Sequence, residues 1–82
     1  MNSSLTVLMF ARYADVLGAD RLEVPMSAAA TIGDLVTYVR GLPGGATLPF
    51  RPFVAVNLAQ VEMDYAPKPG DEIAFLPPMA GG

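Results

Sequence analysis

Cysteine and histidine are both absent from the 82 residues of this chain. Without cysteine there is no disulfide framework and no thiolate nucleophile, and without either residue no zinc site of the usual kind. The lack of histidine removes the commonest general base at neutral pH, and with it Ser-His-Asp and Cys-His catalysis in any chain order. Basic charge is scarce as well. Arg12, Arg21, Arg40, Arg51 and Lys68 stand against eight acidic residues, for a net charge of −3. They are spread singly, so no cluster exists to neutralise phosphates, which argues against a nucleic-acid partner. No stretch approaches the roughly 18 apolar residues of a membrane span. Met1-Asn2-Ser3-Ser4 lacks the positive charge of a secretory leader, so the expected location is the cytoplasm, with no membrane partner. The acidic residues show no calcium-loop spacing, and no metal site is expected.

What is present is apolar: 52% of residues are hydrophobic and 16% charged, a composition that folds rather than stays disordered. A domain this small buries only about 60–65% of the surface its unfolded chain exposes, so the core has to be efficient. Leu5 to Ala11 reads as a strand, with Val7 and Met9 on one face and Leu8 and Phe10 on the other. Both faces are apolar, which predicts a strand covered on each side. Arg12 to Gly18 allows one or two helical turns ended by Gly18, and Arg21 to Val24 alternates as an antiparallel partner strand should. Thr31 to Arg40 is the main helix. Thr31 caps it with Asp34 three residues on, and Ile32, Leu35, Val36 and Val39 form its apolar stripe. Gly33 in its first turn costs about 1 kcal/mol relative to Ala, so the helix depends on docking. After a Gly- and Pro-rich loop from Gly41 to Pro52, strands are expected at Phe53–Asn57, Val61–Met63 and Glu72–Leu76. Pro69-Gly70 suits the centre of a type II turn before the last strand. Two strands, one helix, then two or three strands make an α+β domain. A mixed sheet with one helix across one face is the ββαββ plan of the ubiquitin-like β-grasp fold.

The domain is expected to span residues 1–76 and a tail residues 77–82. Pro77 and Pro78 cannot donate ladder hydrogen bonds and favour an extended conformation, so sheet pairing should stop near Leu76. Met79 follows, and then Ala80, Gly81 and Gly82 carry little or no side chain, which suits entry into a narrow channel of a partner.

Phe75-Leu76-Pro77-Pro78-Met79-Ala80-Gly81-Gly82, preceded by Pro69-Gly70-Asp71-Glu72-Ile73-Ala74, resembles the end of the MoaD family, the small sulfur-carrying subunits of molybdopterin synthase. Val7 to Ala11 and Val54 to Asn57 extend the resemblance over nearly the whole chain. It implies that the carboxylate of Gly82 is the reactive group. In that family a MoeB-like, ubiquitin-activating type of enzyme adenylates the terminus with ATP, and a sulfurtransferase supplies sulfur to give a thiocarboxylate. The sulfur is then donated to cyclic pyranopterin monophosphate in a MoaE-like large subunit. Ala80 and Gly81 would thread the partner's active site. The chain has no phosphate-binding loop of its own, so ATP belongs to the activating partner and no cofactor is expected here.

If the helix covers Val7, Met9, Ile73 and Phe75, then Leu8, Phe10, Ala74 and Leu76 face the other way, and an uncovered apolar patch marks an interaction site. Phe10, Leu76, Pro77, Pro78 and Met79 are the expected partner contacts, unless the Gly41–Pro52 loop folds over that face. Asp71 and Glu72 read as turn and solvent residues, Arg12 as solvated surface, and the tyrosines as packing residues with wet hydroxyls. Two other functions fit the same tail: a sulfur carrier for thiazole, cysteine or tRNA thiolation, and a ubiquitin-like modifier of protein lysines. A passive interaction domain is a further alternative.

Overall fold

The computed structural model describes residues 3–78. Five strands and two helices follow in the order β1 (Ser4–Met9), α1 (Arg12–Leu17), β2 (Arg21–Pro25), α2 (Ile32–Arg40), β3 (Phe53–Val56), β4 (Ala59–Val61) and β5 (Glu72–Leu76). Single 3-10 turns at Met26–Ala28 and Gly45–Thr47 flank α2. The strands form one sheet in the order β2-β1-β5-β3-β4. β1 runs parallel to β5 and every other pairing is antiparallel. This is the expected mixed sheet of a β-grasp domain, with β5 at its centre.

Alternation decides which face is buried. Leu5, Val7 and Met9 of β1, Val54 and Val56 of β3, and Ile73 and Phe75 of β5 point inward, where Ile32, Leu35, Val36 and Val39 of α2 meet them. Tyr13 of α1 and Leu48 of the loop after α2 belong to the same buried core. The start of α2 is tied down by three donors that a helix otherwise leaves unpaired. The Asp34 amide donates to Thr31 Oγ1 at 3.2 Å, Ile32 to the Tyr65 carbonyl at 2.9 Å and Gly33 to the Met63 carbonyl at 2.8 Å. Gly33, a poor helix former, sits in this first turn with its backbone against the Met63 carbonyl, where a Cβ would make ordinary van der Waals contact.

Several boundaries differ from the sequence expectation. β1 ends at Met9, two residues early, because Ala11 takes φ 52° and turns the chain into α1. Asn57 is not strand but turn: Asn57 and Leu58, at φ 50° and 75°, form the two-residue loop of the β3–β4 hairpin. Mirror-image turns of this kind match the twist of paired strands. β4 therefore starts at Ala59 rather than Val61. β1 is flanked by β2 and β5 as an interior strand should be, but only its inner face is covered by α2; Leu8 on the other side is half-buried. The Tyr13 hydroxyl is not wet. It is shut off from solvent with no hydrogen-bond partner.

Candidate functional site

The outer face of the sheet carries an apolar strip at the end where β5 finishes. Ala74 lies between Leu8 of β1 and Ala55 of β3, and Leu76 lies opposite Phe53. Met9 and Phe75 form the last rung between β1 and β5, so Phe10 follows on the far side of Leu76. Phe10, Leu76 and Phe53 are thus brought together across three neighbouring strand positions, about 10 Å at the usual interstrand spacing. They stay 44%, 38% and 51% exposed, respectively. Phe10 and Leu76 were both expected on this face; the Gly41–Pro52 loop does not cover them. Phe53 was not singled out from the sequence. Its signal was present, because burying Val54 and Val56 forces Phe53 outward, and an antiparallel partner at β5 puts it beside Leu76.

The chain leaves β5 through Pro77, which is half-buried, and Pro78, which is exposed. Pro78 forms one wall of an open cleft of about 440 Å³, whose other walls are Arg12, Tyr13, Val16, Thr47 and Pro49. The 41–52 loop, uninformative as sequence, is built to make this wall. Arg40 donates from Nε to the Leu48 carbonyl at 2.9 Å and from Nη2 to the Ala46 carbonyl at 3.2 Å, with its guanidinium 3.8 Å from the centre of the Phe50 ring. Gly44, at φ 83°, lies so close to the end of α1 that a Cβ would overlap the Val16 carbonyl, and a Cβ on Gly45 would overlap that of Val39. The loop therefore packs onto both helices by backbone. Burial raises the Tyr13 pKa, opposed in part by the Arg12 guanidinium beside it. Among the described residues the charged wall of the cleft is the cation of Arg12, which is exposed as expected.

At the other end of β5 the structure is polar. The Lys68 carbonyl accepts from the Asp71 amide at 3.1 Å across Pro69-Gly70, with Gly70 at φ 88°, the expected turn. Asp71 accepts from the Lys68 amide at 2.8 Å and from Asn57 Nδ2 at 3.0 Å, and these donors hold its carboxyl below the ordinary value of 3.8. Asn57 Oδ1 in turn accepts from the Glu72 amide at 3.0 Å. Asp71 is a turn-locking residue, as its position in the sequence implies. Met79, Ala80, Gly81 and Gly82, the remaining expected site residues, lie outside the described residues. Among the described residues no group of three acidic side chains is placed to hold a metal ion. No helix among them is long and apolar enough to cross a membrane.

The family model described as "ThiS family" matches residues 7–82. The chain belongs to the ThiS family. A molybdopterin synthase sulfur carrier subunit from Haemophilus influenzae is 33% identical over 85 residues, covering 95% of this chain and 99% of that protein. Among solved structures, SAMP1 from Haloferax volcanii superposes with a TM-score of 0.79 at 27% identity, covering 96% of this chain and 99% of its own. A complex of subunits 1 and 2 of the molybdopterin-converting factor from Helicobacter pylori contains a chain matching with a TM-score of 0.70 at 20% identity, covering 96% of this chain and 99% of that one.

Proposed function

We propose that this chain is a sulfur carrier whose reactive group is the carboxylate of Gly82, and that it serves as the small subunit of a molybdopterin synthase. The observation that carries the reading is the 33% identity, over almost the full length of both chains, to the Haemophilus influenzae sulfur carrier subunit. The chemistry agrees. An α-carboxylate has a pKa of about 3.3–3.7, so it is ionised at neutral pH and a poor electrophile. Adenylation by an ATP-binding partner supplies a leaving group, and sulfur transfer then gives a thiocarboxylate. That sulfur is a nucleophile in a chain that has no cysteine to offer one. It passes to cyclic pyranopterin monophosphate in the large subunit, so the small domain acts within a sulfurtransferase complex and is not a catalyst alone. Its workplace is the cytoplasm, where ATP and the pterin precursor are available.

The domain supplies the grip. Phe10, Leu76 and Phe53 form an apolar platform at the root of the tail that would anchor a partner while Ala80 and Gly81 pass into its active site. One face serving both the activating enzyme and the large subunit makes the two bind in turn. Pro77 and Pro78 stiffen the exit from the sheet. The test is reconstitution. Thiocarboxylated protein mixed with the large subunit and the pterin precursor should yield molybdopterin, and deletion of Gly82 should abolish the yield. Equal yield without Gly82 would overturn the reading.

A second reading is favoured by the match to SAMP1 at 27% identity, since the protein of that name is called a small archaeal modifier protein. A modifier would form isopeptide-linked adducts on target lysines from the same activated Gly82. A carrier for thiazole, cysteine or tRNA thiolation would share the thiocarboxylate but give no molybdopterin in the reconstitution.

A further inference from the structure

The cleft beside Pro78 offers a ligand one cation and little else that is polar. Of its two side-chain hydroxyls, Thr47 Oγ1 donates to the Gly44 carbonyl at 2.9 Å, and that of Tyr13 is shut off from solvent. Val16, Pro49 and Pro78 add apolar surface. Arg12 is exposed, and among the described residues the one ion pair is that of Arg21 with Glu23 at 3.9 Å. Asp15, three residues on in α1, makes no ion pair with Arg12. Arg40, by contrast, is held by the Leu48 and Ala46 carbonyls. The guanidinium of Arg12 therefore faces the cleft's surroundings without a carboxylate from its own domain.

The place of the cleft says what covers it. Pro78 is one of its walls, and the residues leading to Gly82 follow. A protein that encloses the tail therefore lies against the cleft. On the other flank Arg12 follows Phe10 by two residues, with Ala11 at φ 52° turning the chain out of β1. The cleft thus continues the platform of Phe10, Leu76 and Phe53 round the end of the sheet. Charge makes the site selective. The chain has eight acidic residues against five basic ones, so most of its surface repels a partner's carboxylate. Salt screens charges over about 10 Å at 0.1 M, so a carboxylate is attracted only once it is close to Arg12. One guanidinium matches one planar carboxylate through two parallel bonds. A phosphate dianion would call for a second cation, and Arg12 is the one basic residue among those lining the cleft.

We propose that the cleft seats an acidic side chain of the large synthase subunit, flanked by apolar ones, with its carboxylate on Arg12. This rests on the function proposed above. Apolar burial on the platform is non-directional, whereas a bidentate ion pair has one geometry. The pair at Arg12 fixes the register in which the platform docks, at the point where the tail leaves the domain.

Titration calorimetry on the full chain and the isolated large subunit tests the proposal. Arg12→Gln should weaken binding about tenfold at low salt, and the difference should shrink as salt is raised. Lys68→Gln removes the same charge at the far end of β5 and should change the affinity by less than about twofold. Cross-linking then identifies the occupant. With Arg12→Lys and Lys68→Arg combined, the only side-chain amine of the chain stands at the cleft. A carbodiimide should join it to an Asp or Glu of the large subunit, as fragment-ion mass spectrometry would map. Unchanged affinity with Arg12→Gln, an equal loss with Lys68→Gln, a complex without that cross-link, or a cross-link to the chain's own Gly82 carboxylate would each overturn the proposal. The reconstituted yield of molybdopterin reads the proposed function separately. A full yield with any of these outcomes removes the seating on Arg12 and leaves the chemistry of Gly82 standing. Absence of a complex with the wild-type chain removes both.

Discussion

Replacing Phe53 with Ala separates gripping from folding at the residue where β3 meets the end of β5. Phe53 is 51% exposed, so about half of the 150–250 Å² that an aromatic side chain can bury is still available to a partner. At about 25 cal/mol per Å², burying that remainder contributes about 2–3 kcal/mol to docking. Its removal should therefore weaken binding of the large synthase subunit by about 30–150-fold. Titration calorimetry on the isolated domain and the isolated large subunit reads this directly. The same substitution should cost the fold at most about 2–3 kcal/mol from the already buried half of the ring, since Phe53 is not part of the core formed by Val54, Val56, Ile73 and Phe75. A thermal melt gives that control. Unchanged affinity would remove Phe53 from the docking face, and a collapse of the fold would place it in the core; either result refutes the reasoning.

Tyr13→Phe should raise the melting temperature by about 5 °C, since it removes a buried hydroxyl that has no partner; a fall would mean that the hydroxyl is bonded. Burial raises the Tyr13 pKa above 10.0, so the folded state holds that proton more tightly and stability falls as pH rises beyond about 10. The Phe variant should lose less over that range, as alkaline denaturation curves of the two proteins would record. Gly44→Ala should destabilise the domain by about 2–5 kcal/mol, from left-handed backbone strain and the overlap with the Val16 carbonyl; urea unfolding measures it, and a neutral result would contradict the close packing of loop on helix. Asp71 has a folded pKa below 3.8 because the Lys68 amide and Asn57 bind its ionised form. Its contribution is present above the unfolded value and lost as pH falls through the lower folded one. Asn57→Ala should move its NMR titration midpoint upward toward 3.8, and an unmoved midpoint would exclude the Asn57 contact.

The fold was legible because its signals are strong and local. Thr31 with Asp34, followed by the Ile32–Val39 stripe, leaves few alternatives to a capped helix lying on a sheet. Val7, Met9, Ile73 and Phe75 take their inward positions from alternation alone. Ala11 and the Asn57-Leu58 pair were not legible, because positive φ at non-glycine residues is set by the surrounding pairing rather than by the residues themselves. The 41–52 loop was opaque for a related reason. Its Gly44-Gly45 pair reads as flexibility in a sequence, whereas the structure uses the missing Cβ atoms for contact with α1 and α2. The Tyr13 hydroxyl was misplaced because α1 is only six residues long, and its rotation depends on how that loop closes over it. Two of the three platform residues, Phe10 and Leu76, came from strand parity. Phe53 needed the order of the strands, which places β3 beside β5.

The absence of cysteine and histidine now has a narrower meaning: it argues against the commonest side-chain nucleophile and general base, in keeping with the proposal that the main-chain carboxylate of Gly82 is the reactive group. That claim is tested most directly by the mass of the terminal residue. Protein isolated from cells that contain the sulfur-transfer machinery should be analysed intact and by fragment ions. The account predicts that one oxygen is replaced by sulfur and that the change maps to Gly82. Protein of unmodified mass from such cells, or sulfur located at any other residue, would contradict it.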